Sequence, residues 1–235
     1  MVGLMALALP AGSAGARPLH PLHLPATERA PWLPVAPVAP VADAAMRGDL
    51  ATVRALLAKG VDVNAAQGDG MTALHWAANR GDAALVSVLL RARASVKATT
   101  RIGAYTPLHI ASQGGNASVV KALLGAGADA RAVTTEGATA LHLAAMGGDS
   151  VVITALAAAG GDVNAAEPTW GQTPLMVAAA RGRASGVRAL LARGATPGLV
   201  ARTVDPMASS AQDRQARNRR NAVLAQLREA QGRAK

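Results

Sequence analysis

The fold class this sequence predicts is an all-α solenoid of stacked helix-turn-helix units, and three observations predict it. A tetrapeptide returns as Thr72-Ala73-Leu74-His75, Thr106-Pro107-Leu108-His109, Thr139-Ala140-Leu141-His142 and Thr173-Pro174-Leu175-Met176, at steps of 34, 33 and 34 residues. The glycines Gly48, Gly81, Gly115, Gly148 and Gly182 keep the same register. So do Val53, Val86, Val120, Ile153 and Val187, each followed by an apolar pair: Leu56-Leu57, Leu89-Leu90, Leu123-Leu124, Leu156-Ala157 and Leu190-Leu191. A period in the low thirties marks one supersecondary unit repeated along a stack. Five units follow from about Val41, the first without the tetrapeptide.

Each unit reads as two short helices. Thr is a good N-cap, and Pro107 and Pro174 stand where a first helical turn tolerates proline, so a helix starts at each tetrapeptide and runs to the glycine. The next segment, for example Leu85 to Arg91, puts a valine and a leucine pair at i, i+3 and i+4, the apolar stripe of a second helix. Helices of about two turns are marginal alone. Their stripes must therefore be buried against neighbouring units. With 51% apolar residues, no Phe and one Tyr, the core must be Leu, Val, Ala and Ile packed at close range.

These units resemble ankyrin repeats, whose signature includes T-P-L-H-x-A in a 33-residue frame. The resemblance spans residues 41–200 and extends to Gly60-Val61-Asp62-Val63-Asn64-Ala65, Gly127-Ala128-Asp129 and Gly161-Asp162-Val163-Asn164-Ala165. Three positions depart from it: Arg93 in place of the second-helix glycine, Ala157 in place of the second leucine, and Met176 in place of histidine. The resemblance implies a non-catalytic scaffold that binds a protein partner, expected to be monomeric, of a bacterial, exported type. It also implies a binding surface made of the loop tips and the concave face of the first helices. The tips are residues 67–71, 99–105, 134–138 and 167–172, and the candidate contacts on them are Asp69, Met71, Ile102, Tyr105, Glu136, Trp170 and Gln172. On the helices the candidates are Asn79, Arg80, Gln113, Met146 and Arg181, with Ala180 beside them.

The unequal steps locate two longer loops. The added residues fall between Arg93 and Thr106 and between Gly160 and Thr173, and those loops carry Tyr105 and Trp170. In a chain with four aromatic residues, two on loop tips are candidate interface anchors, because aromatic side chains cover a large area at small entropy cost. The opposing expectation is that both rings pack down on the adjacent loop. Trp76 lies inside a first helix, where other units have Ile110, Leu143 and Val177, and reads as a packing residue.

The row of His75, His109 and His142 invites a metal or catalytic reading, but the repeat places these residues on successive units rather than in one cluster. The resemblance implies a structural role for them, bonding between neighbouring loops, with Thr72, Thr106, Thr139 and Thr173 as their helix caps. No phosphate-cradling glycine loop with lysine, G-x-S-x-G or H-E-x-x-H occurs. No enzyme activity, metal, cofactor or small-molecule substrate is expected. The absence of Cys excludes disulfides and thiolate chemistry, and no run of 18 apolar residues is present to span a membrane.

The flanks differ from the repeats. Residues 1–16 are apolar and end in Ala14-Gly15-Ala16, the form of a signal-peptidase site, although no Lys or Arg precedes the apolar run. A periplasmic or secreted location is the expectation, with a cytoplasmic one as the alternative. Residues 17–40 hold seven of the 13 prolines and read as an extended linker; its His20 and His23 make no metal site. Residues 201–235 carry eight basic and three acidic side chains, half of the net charge of +10. From Ser210 a helix is expected, with Val223, Leu224 and Leu227 capping the fifth repeat and Arg214, Arg217, Arg220 and Arg228 mainly in water. A contact between this basic helix and nucleic acid or an anionic surface is the lesser reading, since aromatics for base stacking are missing. A second function class is a sequestering, immunity-like domain for a co-exported enzyme or toxin.

Overall fold

A computed structural model describes residues 39–199. The candidate export segment, nearly all of the linker and the basic C-terminal segment lie outside the described residues.

The described residues form ten helices in five consecutive pairs: α1 (Pro40–Arg47) and α2 (Leu50–Ala58), α3 (Ala73–Arg80) and α4 (Ala83–Arg91), α5 (Pro107–Gln113) and α6 (Ala117–Gly125), α7 (Ala140–Gly147) and α8 (Ser150–Ala158), and α9 (Pro174–Ala180) and α10 (Ala184–Ala192). The helices within a pair pack on each other. The first helices stack in the order α1, α3, α5, α7, α9, and α4, α6, α8 and α10 make a second row. No strand occurs among the described residues, only a bridge between Val133 and Thr139. The expected all-α solenoid of stacked helix-turn-helix units is the observed fold.

The apolar columns are its core. Val53, Val86, Val120 and Ile153 are fully buried, as are Leu89, Leu123, Leu156 and Leu190. The tetrapeptide leucines Leu74, Leu108 and Leu141 are buried in the same core. Short polar chains lock the register outside the core. Asp62, Asp129 and Asp162 accept the N–H two residues on, and the Asn64 and Asn164 side-chain carbonyls accept the N–H of Ser95 and Thr196 in the following unit, both at 2.8 Å.

Two details differ from the expected unit. The first helix of the first unit begins at Pro40, the residue with which the linker was expected to end. Pro40 stands in the same N1 place as Pro107 and Pro174, with Ala39 where the other units have threonine, so α1 has no side-chain cap. Arg93 takes the left-handed conformation at φ 61°, because its place in the frame is the one where Gly60, Gly127, Gly160 and Gly194 turn the chain at φ 75–86°. The unit keeps its shape there despite a side chain that disfavours it.

Candidate functional site

The tetrapeptides brace the stack. In three units the backbone N–H of the N-cap threonine donates to His Nδ1: Thr72 to His75 at 3.2 Å, Thr106 to His109 and Thr139 to His142 at 3.1 Å. An amide can only donate, so Nδ1 must accept and the proton must sit on Nε2. That Nε2–H donates at 3.0 Å to a carbonyl of the next unit: Tyr105 for His75, Ala132 for His109 and Gln172 for His142. All three rings are buried. Burial pushes each histidine's pKa below its ordinary value, against the opposing pull of the carbonyls. In this geometry the three imidazoles are neutral and link neighbouring units. Met176 cannot make one, and Thr173 there only caps α9.

The four tips show where the alternating period goes. Gln67 N–H closes on the Met71 carbonyl and Thr134 N–H on that of Ala138, both at 2.9 Å and four residues apart. Thr100 closes on Tyr105 and Glu167 on Gln172, both at 3.0 Å and five apart. The extra residue therefore lies inside each longer tip, and Gly103 and Ala104 take positive φ to accommodate it in one of them. The tips also bond along the row, Arg101 N–H to the Asp69 carbonyl at 2.8 Å and Thr135 N–H to that of Gly103 at 3.0 Å. Pro168, at the equivalent place, has no N–H. Its ring covers Gly137 and leaves no room there for a β-carbon.

The two tip aromatics behave differently. Tyr105 is half-buried, lies across Gly103 so closely that a side chain there would collide with it, and meets the His109 ring edge-on at 6.2 Å. Trp170 is 51% exposed. Its tip is held by the Glu167 carboxylate, which accepts the N–H groups of Thr169 at 2.6 Å, Trp170 at 2.8 Å and Gln172 at 3.0 Å. Partial desolvation works against the charge of Glu167. The donors on Gln172, Trp170 and Thr169 outweigh it and hold the carboxyl below the usual range.

Two hollows run between the tips and the first helices, and Tyr105 and Gln113 line both. The smaller, about 340 Å³, also takes in Asp69, Met71, Asn79 and Ile102. The larger, about 450 Å³, takes in Glu136, Met146, Trp170 and Gln172. Ten of the twelve candidate contacts thus border one groove. The other two lie elsewhere: Arg181 is exposed at the end of α9, and Arg80 reaches back over Gly48 to donate to the Met46 carbonyl at 3.3 Å. Met71 and Met146 are half-buried in the groove wall rather than fully exposed.

Sequence reasoning missed the floor of this groove. Ile110, Leu143 and Val177 line it, one turn into the first helices. The signal was their shared place after the tetrapeptide, outside the columns that form the core. Trp76, in the same column, does pack: it is half-buried and its indole N–H donates to the Gln67 side chain at 2.8 Å, which in turn reaches Asp43 at 2.6 Å. Among the described residues no cluster of His, Asp or Glu is arranged to hold a metal ion. No helix among them is long and apolar enough to cross a membrane.

A braced row of two-helix units with an open groove on its tip side defines a repeat scaffold. Residues 41–134 and 108–200 match the family description of ankyrin repeats in sets of three copies, and the chain belongs to the ankyrin-repeat family. Repeats of this family generally mediate protein–protein interaction and are typically non-catalytic. No curated protein matches the chain.

Proposed function

We propose that this chain is a non-catalytic binder of a polypeptide partner, which it holds along the groove between its loop tips and first helices, with Trp170 as the anchor. The observation that carries this reading is a large apolar ring standing in water on a tip that is itself fastened by three hydrogen bonds to Glu167. A tip whose backbone is fastened before binding loses less entropy on contact than a free loop would. Tyr105 contributes wall rather than anchor, since its ring already packs against Gly103 and His109. An open groove on a solenoid is poor at excluding water, which fits binding better than catalysis. Partner capture from cells, with wild-type chain against the Trp170→Ala variant, tests the reading. A partner retained by the wild type and lost by the variant is the expected result, and equal retention would overturn it.

We place this binding outside the cytoplasm, on the strength of the apolar leader and the Ala14-Gly15-Ala16 site. A reporter active only after export, fused behind residue 29, tests that separately; an inactive fusion would count against export.

A further inference from the structure

We infer that the groove is built for a basic polypeptide segment, one that presents an apolar side chain flanked by Lys or Arg. This rests on the proposed partner-binding role and adds the chemistry of the partner.

The argument is one of charge against background. Residues 39–199 carry 14 Lys and Arg against 10 Asp and Glu. Yet no Lys or Arg lines either hollow of the groove, whereas Asp69, Glu136 and Glu167 do. The two arginines nearest in sequence to its first stretch are turned to main-chain carbonyls, Arg80 to Met46 and Arg101 to Gly68. The contrast lies within the same stack. A separate hollow of about 640 Å³ beside Ala157 is flanked by both Arg131 and Arg193.

Between the acidic groups the groove combines neutral polar side chains such as Asn79 and Gln113 with apolar ones. Ile110, Leu143 and Val177 form its floor, with Tyr105 and Trp170 on its wall. Glu136 is exposed on its tip beside Trp170 in the larger hollow. The Glu167 carboxyl is held below its ordinary pKa by the backbone donors it accepts. An acidic partner would bring like charges together at the Glu136–Glu167 end of this surface, and a neutral one would leave those carboxylates facing an apolar contact. A cationic residue on either side of an apolar anchor satisfies both, and charge arranged in this way governs which partner docks and how fast it arrives.

The test uses the full chain as bait for a random-peptide display library, with Trp170→Ala and Glu136→Lys variants panned in parallel. Circular dichroism first checks that both exposed-site variants stay folded. The expected outcome is enrichment of peptides with Lys or Arg around an apolar residue, lost on Trp170→Ala. A synthetic copy of the strongest binder should weaken about five-fold on Glu136→Lys, as befits one exposed charge contact turned from attraction to repulsion. Peptides that need Trp170 but show no basic bias, or are acidic, would overturn the charge inference and leave the groove reading standing. A library yielding no peptide that depends on Trp170 would overturn both.

Discussion

Replacing His109 by Ala removes the most central of the three imidazole links, and its cost can be worked from the contacts. The Thr106 N–H loses its acceptor at 3.1 Å and the Ala132 carbonyl loses its donor at 3.0 Å, both in buried or part-buried surroundings. Each buried polar group left without a partner costs roughly 1–3 kcal/mol. One of the two can be rescued by water at the loop edge, so the expected loss is about 1–3 kcal/mol. The same geometry sets a pH dependence. Burial disfavours the charged imidazolium and holds the three histidine pKa values below their ordinary value, and a proton on Nδ1 would aim one donor at another. Histidines of the unfolded chain titrate near their ordinary value of about 6.5. The links are therefore intact above that pH. As pH falls below it, the unfolded chain binds more protons and stability is lost, at up to about 1.4 kcal/mol per pH unit for each histidine. Urea unfolding followed by circular dichroism at a series of pH values checks both statements. Wild type should hold its stability from pH 7.5 to about pH 6.5 and then weaken toward pH 5 on this scale, and the His109→Ala slope below about pH 6.5 should be about one third shallower. A wild-type stability flat across that range, or a His109→Ala loss below about 0.5 kcal/mol, would refute the account of the links.

Two substitutions that restore the repeat pattern should stabilise the chain. Arg93→Gly relieves a left-handed backbone at φ 61° and should gain about 0.5–1 kcal/mol after allowing for the greater freedom of glycine in the unfolded chain, read as a raised unfolding midpoint. Ala157→Leu supplies the side chain that Leu57, Leu90 and Leu124 provide elsewhere in half-buried form, over the hollow of about 640 Å³. Partial burial of the added carbons should contribute about 0.5–1 kcal/mol, and a lowered midpoint would mean that the hollow cannot accept the branch.

What the sequence made legible follows from the repeat itself. A column of five residues at one period tests each assignment several times over, so the helices, the core leucines and the structural place of His75, His109 and His142 could all be read before any coordinates. The length of the two longer tips was legible for the same reason. Whether their rings stand out or lie down was not. Tyr105 is held by Gly103 and His109 while Trp170 is raised on the Glu167 carboxylate, and both outcomes depend on turn geometry that spacing does not encode. The arginines show the same limit. Arg80 looked like a free contact and is directed to the Met46 carbonyl; Arg183, in the place where Asp49, Asp82 and Asp149 cap their helices, instead donates to the Met146 carbonyl at 2.9 Å. A long cation can reach back to the end of a neighbouring helix, where its charge is favoured, and a one-dimensional pattern does not show that reach.

The central claim is that Trp170 anchors a partner without holding the fold together. Calorimetric titration of a groove-binding polypeptide into wild type and Trp170→Ala, with urea unfolding of the same two samples, tests it most directly. The account predicts an affinity loss of more than about ten-fold together with a stability change within about 0.5 kcal/mol. Unchanged affinity, or a stability loss of several kcal/mol, would contradict it.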